Sequence, residues 1–310
     1  MPFPINEKLV VAVSSTALFD FSIADRIYRE QGLEAYINHQ QENKDKIPDP
    51  GGGFPFIRRL LNLNQLFPDQ TPVEVLILSR NHPEASLRIT NAVKHYELPI
   101  SRFIFRSGLL PYSFMPAINA CLYLSTNFEE VKKAISLKYP AGYILPCHVR
   151  DDPSDTQLRI AFDFDGVIAD DESEKYFVEF HDLPLYQKHE LDYKDIPLAK
   201  GPLFPLLEKI SKIQQMDIQK ALDPEQRKIR IAIVTARSAP AHERLINTLR
   251  SWQITTDELF LLGGIEKKAI LDVLKPHIFF DDQLSHLQPA AENTPSVHIP
   301  FGVANEQIVQ

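Results

Sequence analysis

The sequence predicts an α/β protein built on mostly parallel sheets, and two patterns support this prediction. Short apolar runs alternate along the chain with segments whose apolar residues recur at helical spacing, as in residues 85–93. In addition, the second half of the chain repeats the pattern of the first half. The runs expected to form strands are Leu9–Val13, Val73–Leu78, Phe103–Phe105, Leu122–Leu124, Ile160–Phe162, Ile229–Val234, Leu259–Leu262 and Ile278–Phe280.

The internal repeat divides the chain into two domains. Residues 73–127 align with residues 229–283 without a gap, at a constant offset of 156 (229 − 73), and apolar runs face apolar runs throughout. Residues 11–16 align in the same way with residues 160–165. Repeated units this long indicate an ancient domain duplication rather than a solenoid. We predict domains at residues 1–155 and 156–310, separated within the turn-rich loop 150–157, with a cap inserted at residues 167–228.

The composition excludes several classes of protein. The chain has 310 residues, a hydrophobic content of 44% and a net charge of −8, so it can bury a core but lacks the basic surface of a duplex-binding protein. Cys121 and Cys147 are too few for a disulfide framework and indicate a reducing compartment. The first residues lack the order of a signal peptide, and no apolar run reaches the ~18 residues of a membrane span. We expect a cytoplasmic protein whose partners are neither nucleic acid nor membrane; a homo-oligomer is left open.

The two halves differ at their charged positions. Five charged residues of the second half face neutral residues of the first half. Asp163, Asp165, Lys267, Asp281 and Asp282 face Ser14, Thr16, Pro111, Ser125 and Thr126, respectively. The second half is therefore predicted to be the catalytic one, and the first half to be a degenerate copy that lacks the catalytic acids.

Polar residues follow four apolar segments of the second half. They are Asp163 and Asp165 before Gly166, Thr235 and Arg237 after Ile229–Val234, Lys267 on a predicted helix, and Asp281 and Asp282 after Ile278–Phe280. Because the carboxyl ends of parallel strands meet at one edge of a sheet, we expect these side chains to converge. Carboxylates suit a hard cation such as Mg²⁺, and an aspartate can attack phosphorus while a hydroxyl and a lysine bind the phosphate oxygens. The set is complete for phosphoryl transfer.

The first half also places polar residues after its strands. Ser79, Arg80 and Asn81 combine neutral donors with one arginine, which suits an anion or a nucleotide without a metal. We predict that these three residues contribute to substrate binding, provided that the carboxyl edges of the two halves face each other. A separate regulatory site and a relic that serves only packing are the alternatives.

The ordered set in residues 160–282 resembles the signature of the haloacid dehalogenase superfamily of phosphohydrolases, which is Asp-x-Asp-Gly, then Thr or Ser, then Lys, then an acidic pair. The resemblance implies two Rossmann-like domains. It implies that Asp163 is the nucleophile, that Asp165 is the general acid and base, and that Thr235 and Lys267 bind phosphate. The implied Mg²⁺ ligands are Asp163, the Asp165 carbonyl and the Asp281–Asp282 pair, of which the direct ligand is left open.

Segments over nearly the whole chain look like the cytosolic type I 5'-nucleotidases and their bacterial relatives. They are residues 11–20, 32–36, 78–81, 235–244, 249–252 and 279–283. That family hydrolyses nucleoside 5'-monophosphates, typically AMP and deoxynucleotides, using magnesium. The resemblance implies this activity, through an aspartyl-phosphate, for the present chain. The family's Asp-Gly-Asp-Ala-Val is Asp-Phe-Asp-Gly-Val here, which keeps both acids but leaves base and sugar preference open.

Several interpretations stay open from the residues alone. Arg237 is predicted to contact the substrate, with capping of the following helix as an equal alternative. The acidic run Asp170–Glu174 is interpreted as a solvated helix start, with metal binding as the alternative. The chain as a whole is compatible with a phosphatase of another small phosphorylated metabolite, with phosphotransfer to an alcohol, or with a non-catalytic nucleotide sensor. The complete set of acids, threonine and lysine argues against the sensor.

Overall fold

The structure, a computed structural model, describes residues 3–147, 149–221 and 223–308. The strands are β1 (Leu9–Val13), β2 (Val73–Ser79), β3 (Arg102–Phe105), β4 (Leu122–Ser125), β5 (Ala141–Ile144), β6 (Leu158–Phe162), β7 (Ile229–Thr235), β8 (Glu258–Leu261), β9 (Ile278–Asp281) and β10 (Ser296–His298). The α-helices are α1 (Ser15–Leu18), α2 (Ser22–Glu42), α3 (Phe54–Leu66), α4 (Ser86–His95), α5 (Phe128–Ser136), α6 (Glu172–Phe180), α7 (Leu183–Asp192), α8 (Phe204–Lys220), α9 (His242–Ser251), α10 (Lys267–Leu274) and α11 (Leu284–Ala290). This element order confirms the α/β class.

The ten strands of the described residues belong to one sheet, in the order β3-β2-β1-β4-β5-β10-β9-β6-β7-β8. Neighbours pair in parallel except β5 and β10, which are antiparallel, with Val297 opposite Ile144 and His298 opposite Tyr143. The structure therefore differs from the expectation of one sheet for each half. The sequence pattern predicted eight of these strands but neither β5 nor β10, whose pairing joins the halves.

The antiparallel pairing of β5 and β10 has a direct geometric consequence. Each half contributes five parallel strands, and the strands of one half run opposite to those of the other half. The carboxyl ends of β1, β2 and β4 consequently lie at one edge of the sheet, and those of β6, β7 and β9 lie at the other edge. The two crevices that the sequence predicts open at opposite edges of one sheet and do not face each other.

The halves have the same internal order of strands and repeat several hydrogen bonds. Arg88 on α4 donates to Gln40 on α2 at 3.0 Å, and Arg244 on α9 donates to Glu190 on α7 at 3.0 Å. Helix α2 is interrupted at Gly32, where φ is +86°, at the place that corresponds to the break between α6 and α7. Offsets of 150 and 156 residues relate each pair of partners, close to the offsets of the sequence alignment.

The larger of two buried apolar clusters extends across both halves. Phe56 on α3 packs edge-on against Phe280 on β9, with ring centroids 6.4 Å apart. The loop 150–157, predicted to separate two domains, is bound to α3: Arg58 and the buried Arg59 each donate to a different oxygen of Asp151 at 2.5 Å. The described helices include none that is long and apolar enough to span a membrane.

We expect Gly142→Ala to destabilise the junction between the halves. A Cβ at Gly142 on β5 would lie 2.4 Å from Val297 Cγ1 on β10, so the pairing must shift. Overpacking of this kind lowers the free energy of unfolding by about 1–3 kcal/mol. Urea denaturation measures this loss. Val297→Ala removes the clashing methyl, so the double variant should lose less than the sum of the two single variants. Strict additivity would contradict contact between β5 and β10.

Candidate active site at the carboxyl edge of the second half

Asp163 and Lys267 form the centre of the site. Asp163 follows the last residue of β6 and is 5% exposed, and Lys267 begins α10 and is 3% exposed. Lys267 Nζ lies 2.9 Å from Asp163 Oδ2 and 2.7 Å from Asp281 Oδ2. Burial raises the pKa of Asp163 to about 7 against the opposing charge of Lys267. Burial alone would lower the pKa of Lys267, but the two carboxylates outweigh it and raise that pKa.

Asp281 and Asp282 have different surroundings, although they are adjacent. Asp281 is fully buried and its oxygens are engaged: Lys267 contacts one, and the backbone N–H of Gln283 donates to the other at 2.8 Å. Asp282 is also buried, yet neither of its carboxylate oxygens has a hydrogen-bond partner among the described residues. Burial and the charge of Asp163 raise the pKa of Asp282 to about 11. A buried carboxylate without partners is costly unless a cation neutralises it.

A group that could hold a metal ion lies at this edge. Asp163, Asp281 and His286 each offer one ligand atom, and these atoms lie within 4.8 Å of one another. His286 Nδ1 is 3.2 Å from Asp281 Oδ2. Because Lys267 already neutralises Asp281, the unpartnered Asp282 is the better candidate ligand of the two acids, and Asp163 is common to both sets.

Gly166 supports the position of Asp282. The backbone of Gly166 has a φ of +70°, and a Cβ there would lie 2.6 Å from Asp282 Oδ2. Glycine adopts this left-handed conformation without the cost that an L side chain incurs. The glycine that follows the two acids after β6 therefore both turns the chain and lets it approach the carboxylate of Asp282.

We expect Gly166→Ala to impair the site more than it impairs the fold. The added methyl group would push against the Asp282 carboxylate, whereas the positive φ alone costs about 1–2 kcal/mol. Phosphate-release rates and the affinity for a divalent cation should fall together. Gly32→Ala is the matched control, because Gly32 also has a positive φ but its added Cβ would have nothing within 4 Å. Equal activity losses in both variants would contradict a role for Gly166 beside Asp282.

Both carboxylate oxygens of Asp165 are bound by Arg237. Arg237 Nε donates to Asp165 Oδ2 and Nη2 donates to Asp165 Oδ1, each at 2.7 Å. The remaining donors of Arg237 bond to Glu190, to Ser173 Oγ at 2.8 Å and to the carbonyl of Ala241 at 3.1 Å. All five N–H groups of this buried guanidinium are thus engaged. In this arrangement Arg237 has no free donor for the substrate contact that the sequence predicts.

Thr235 lies at the end of β7 and is 1% exposed. Its hydroxyl oxygen accepts a hydrogen bond from the backbone N–H of Arg237 at 3.2 Å, which leaves the hydroxyl proton available to a ligand. The structure therefore brings Asp163, Lys267, Asp281 and Asp282 together at the edge where β7 also ends with Thr235.

Ser79, Arg80 and Asn81 do not join this group. Ser79 ends β2, at the opposite edge of the sheet from the acids. Its hydroxyl lies 3.0 Å from Ser15 Oγ, and Arg80 Nε lies 3.4 Å from Glu130 Oε1. The condition on which their substrate role depended, facing carboxyl edges, is not met.

Sequence reasoning missed three residues of the second-half site. Glu174 on α6 accepts from Gln283 at 2.7 Å, while its Oε2 is buried and has no partner in the described parts of the chain. Burial, followed by the charge of Asp165, raises the pKa of Glu174. The acidic run around it was interpreted as a solvated helix start. Glu190 and His286 were not singled out at all. The internal repeat could have indicated Glu190, because Glu190 and Gln40 occupy corresponding places in the two halves. Each accepts a hydrogen bond from an arginine at a corresponding place, Arg244 on α9 and Arg88 on α4.

Fold and site together define an α/β protein in which carboxylates and one buried lysine gather at the carboxyl edge of parallel strands. The chain belongs to the 5'-nucleotidase family, whose sequence profile matches residues 1–306. It is 35% identical over 300 residues to human cytosolic 5'-nucleotidase 1B, and the aligned region covers 93% of this chain and 48% of that protein. The chain thus spans about half the length of this relative.

One solved structure aligns with nearly the whole chain, but its structural similarity is low. The structure of a Pnkp1/Rnl/Hen1 complex aligns over 94% of this chain and 95% of its own chain, with 12% sequence identity and a TM-score of 0.31. A likeness at this level supports no conclusion about fold or function.

Proposed function

We propose that this chain hydrolyses nucleoside 5'-monophosphates, with AMP or deoxynucleotides preferred, to a nucleoside and inorganic phosphate. The observation that supports it best is the pairing of Lys267 with Asp163, beside an unpartnered Asp282, in a chain of the 5'-nucleotidase family. A lysine next to a strand-end aspartate can hold the equatorial phosphate oxygens while the carboxylate approaches phosphorus.

Asp163 is the proposed nucleophile. Its Oδ1 accepts from the backbone N–H of Phe164 at 2.7 Å, and its Oδ2 faces Lys267, so the carboxylate has a fixed orientation. Attack of a carboxylate oxygen on phosphorus forms an aspartyl-phosphate as the bond to the nucleoside 5'-oxygen breaks. Water then attacks the phosphoryl group and releases phosphate, which regenerates the Asp163 carboxylate.

Asp165 is the proposed general acid and base. It donates a proton to the departing 5'-oxygen and then accepts a proton from the attacking water. In the structure Arg237 binds both of its oxygens, so Asp165 must leave this pair to reach the substrate. We assign Arg237 as a positioning residue for Asp165. Arg237 also bonds to Ser173 on α6 and to Glu190 on α7, which connects the orientation of Asp165 to the proposed cap.

The residues at this edge fit a divalent metal ion, which we propose to be Mg²⁺. The orphaned carboxylate of Asp282 is the observation that favours a cation, and oxygen ligands are those that Mg²⁺ prefers. Asp163, the carbonyl of Asp165 and Asp282 would hold it, with Asp281 oriented by Lys267 beside them. When bound, the ion would neutralise phosphate charge and so permit the approach of a carboxylate.

We infer that the two halves arose by domain duplication and are haloacid dehalogenase-like. The shared strand order and the corresponding bonds of Arg88 and Arg244 support the inference. We retain residues 1–155 and 156–310 as the two units, although they share one sheet and one core. We also propose a cytoplasmic location, because the human relative is named a cytosolic 5'-nucleotidase.

The proposed function is tested by phosphate release from a panel of nucleoside 5'-monophosphates and sugar phosphates, with Mg²⁺ and with chelator. Magnesium-dependent release from nucleotides would support the proposal and rank the bases. Release only from sugar phosphates would replace the substrate class. Transfer to an added alcohol would show phosphotransfer, and no release from any compound would overturn the proposal.

A further inference from the structure

The first half contains a cavity that the proposed hydrolysis does not use. It has a volume of about 450 Å³ and opens at the carboxyl edge of β1, β2 and β4. Among the residues that line it are Ser14, Thr16, Arg29, Ser79, Arg80 and Thr126. A cavity of this size is within the range of small-molecule sites. Its position in the first half corresponds to that of the acids in the second half, but at the opposite edge of the sheet.

The charge of this cavity differs from that of its counterpart. Four strand-end acids of the second half correspond to hydroxyl residues here: Asp163 to Ser14, Asp165 to Thr16, Asp281 to Ser125 and Asp282 to Thr126. The second half needs a cation before it can accept a phosphate, because its acids outnumber Lys267 and Arg237. The first half has no strand-end acid, so a phosphate can bind there without a metal.

The floor of the cavity offers hydroxyl groups. Thr126 donates to Thr16 at 2.6 Å, and Thr16 lies 3.2 Å from Ser14 Oγ. Ser79, in the position that Thr235 occupies in the second half, lies 3.0 Å from Ser15 Oγ. Small hydroxyl side chains at the ends of adjacent strands are suited to the oxygens of a phosphate group.

Two arginines at the cavity have Nη groups available for a ligand. Arg80 Nε donates to the carbonyl of Gly108 at 3.0 Å and also lies 3.4 Å from Glu130 Oε1, and Arg29 Nε donates to the carbonyl of Asp25 at 3.4 Å. In the part of the chain that the structure describes, no hydrogen bond is made by their Nη groups. The Nη groups of two arginines, at a cavity rich in hydroxyls, favour a phosphate ligand.

The acids of the cavity do not oppose the binding of a phosphate group. Glu130 is buried against the sheet, where its Oε2 accepts from Tyr123 at 3.0 Å and from Ser125 at 3.2 Å. Asp25 is half-buried on α2, beside Arg29, and can accept from sugar hydroxyl groups. Together the two acids balance the two arginines, so the ligand must be bound by oriented donors rather than by net charge.

An aromatic wall completes the cavity. Tyr28 is 45% exposed, and its ring packs edge-on against Tyr36, with centroids 5.9 Å apart. Leu33, 47% exposed, adds apolar surface on the same helix. Exposed aromatic and aliphatic side chains beside a polar floor suit a flat ring linked to a phosphate.

We infer that the first half binds a nucleoside monophosphate without a metal, at this cavity, with the phosphate on the hydroxyl floor and the base against Tyr28. The site performs no chemistry, because it has no carboxylate in the place of Asp163 and no lysine in the place of Lys267. It stands apart from the hydrolytic site at the other edge of the sheet.

The test is equilibrium dialysis of AMP against the full chain in chelator, with adenosine and inorganic phosphate as comparison ligands. We expect one AMP bound per chain, and adenosine bound more weakly. Thr126→Asp, which restores the charge found at Asp282, should weaken AMP binding at least about tenfold, and the neutral Thr126→Asn, which removes the hydroxyl without adding charge, should weaken it several-fold less. Arg80→Ala should weaken AMP to a similar extent, and Arg26→Ala, on α2 but outside the cavity lining, should leave it unchanged.

Either of two results would overturn the inference: no AMP binding in chelator, or binding that Thr126→Asp and Arg80→Ala leave unchanged. Binding lost in Lys267→Gln but kept in Arg80→Ala would place the AMP in the hydrolytic site and would also overturn it. Hydrolysis is measured separately with Mg²⁺. Metal-free binding without hydrolysis would overturn only the proposed function, and hydrolysis without metal-free binding would overturn only this inference.

Discussion

Asp163→Asn should lower the rate of phosphate release from a nucleoside monophosphate by at least about 10⁴-fold. The amide has nearly the volume of the carboxylate, so packing around the buried residue changes little, but it cannot form an aspartyl-phosphate. Lys267 keeps its contact with Asp281 at 2.7 Å, which preserves the position of α10. Single-turnover measurement with labelled substrate, followed by acid quenching, should find protein-bound phosphate in the natural chain and none in the variant.

The matched control is Asp272→Asn. Asp272 lies on α10, the helix that begins with Lys267, but its side chain is 39% exposed and pairs with Lys268 at 3.3 Å. The same chemical change there should alter phosphate release less than about twofold, since exposed ion pairs contribute little. If Asp163→Asn retained a tenth of the natural rate, covalent catalysis at Asp163 would be excluded.

Asp282→Asn should weaken metal binding and, in chelator, increase the stability of the fold. Replacement of a metal-ligating carboxylate is expected to weaken Mg²⁺ or Mn²⁺ binding by about 100-fold or more, a larger loss than the 10–100-fold typical of residues that only support ligands. Phosphate release should fall in parallel at low metal concentration. The metal affinity can be measured directly by calorimetry, without any turnover.

The same variant should be more stable than the natural chain when both are in chelator. Without a cation, the two Asp282 oxygens are buried near the acids Asp163 and Asp281, and no residue that the structure describes gives them a hydrogen bond. Asparagine avoids the cost of burying this ionisable group, so the urea midpoint should rise, whereas saturating Mg²⁺ should stabilise the natural chain more than the variant. A variant that binds Mg²⁺ normally would exclude Asp282 as a ligand and would favour the group formed by Asp163, Asp281 and His286.

The candidate site was predictable to the extent that it depends on strand ends. Asp163 and Asp165 follow an apolar run of β6, and Asp281 and Asp282 come at the end of β9, so local sequence located them. Their convergence follows from parallel pairing, which the alternation of strands and helices predicted. The partners of Arg237 were not predictable, because Ser173 and Glu190 come from helices 64 and 47 residues earlier in the chain, and no local pattern specifies such contacts.

By itself, the sequence determined the α/β class, eight of the ten strands and the acids that end two of them, because continuous apolar runs and glycine breaks act locally. Only the tertiary structure decided how the halves combine. The joining strands are short, β5 with four residues and β10 with three, and neither stood out as an apolar run. Their antiparallel pairing joins residues far apart in the sequence and depends on packing across the apolar core that both halves share. That pairing sends the polar cluster of Ser79, Arg80 and Asn81 to the edge opposite Asp163.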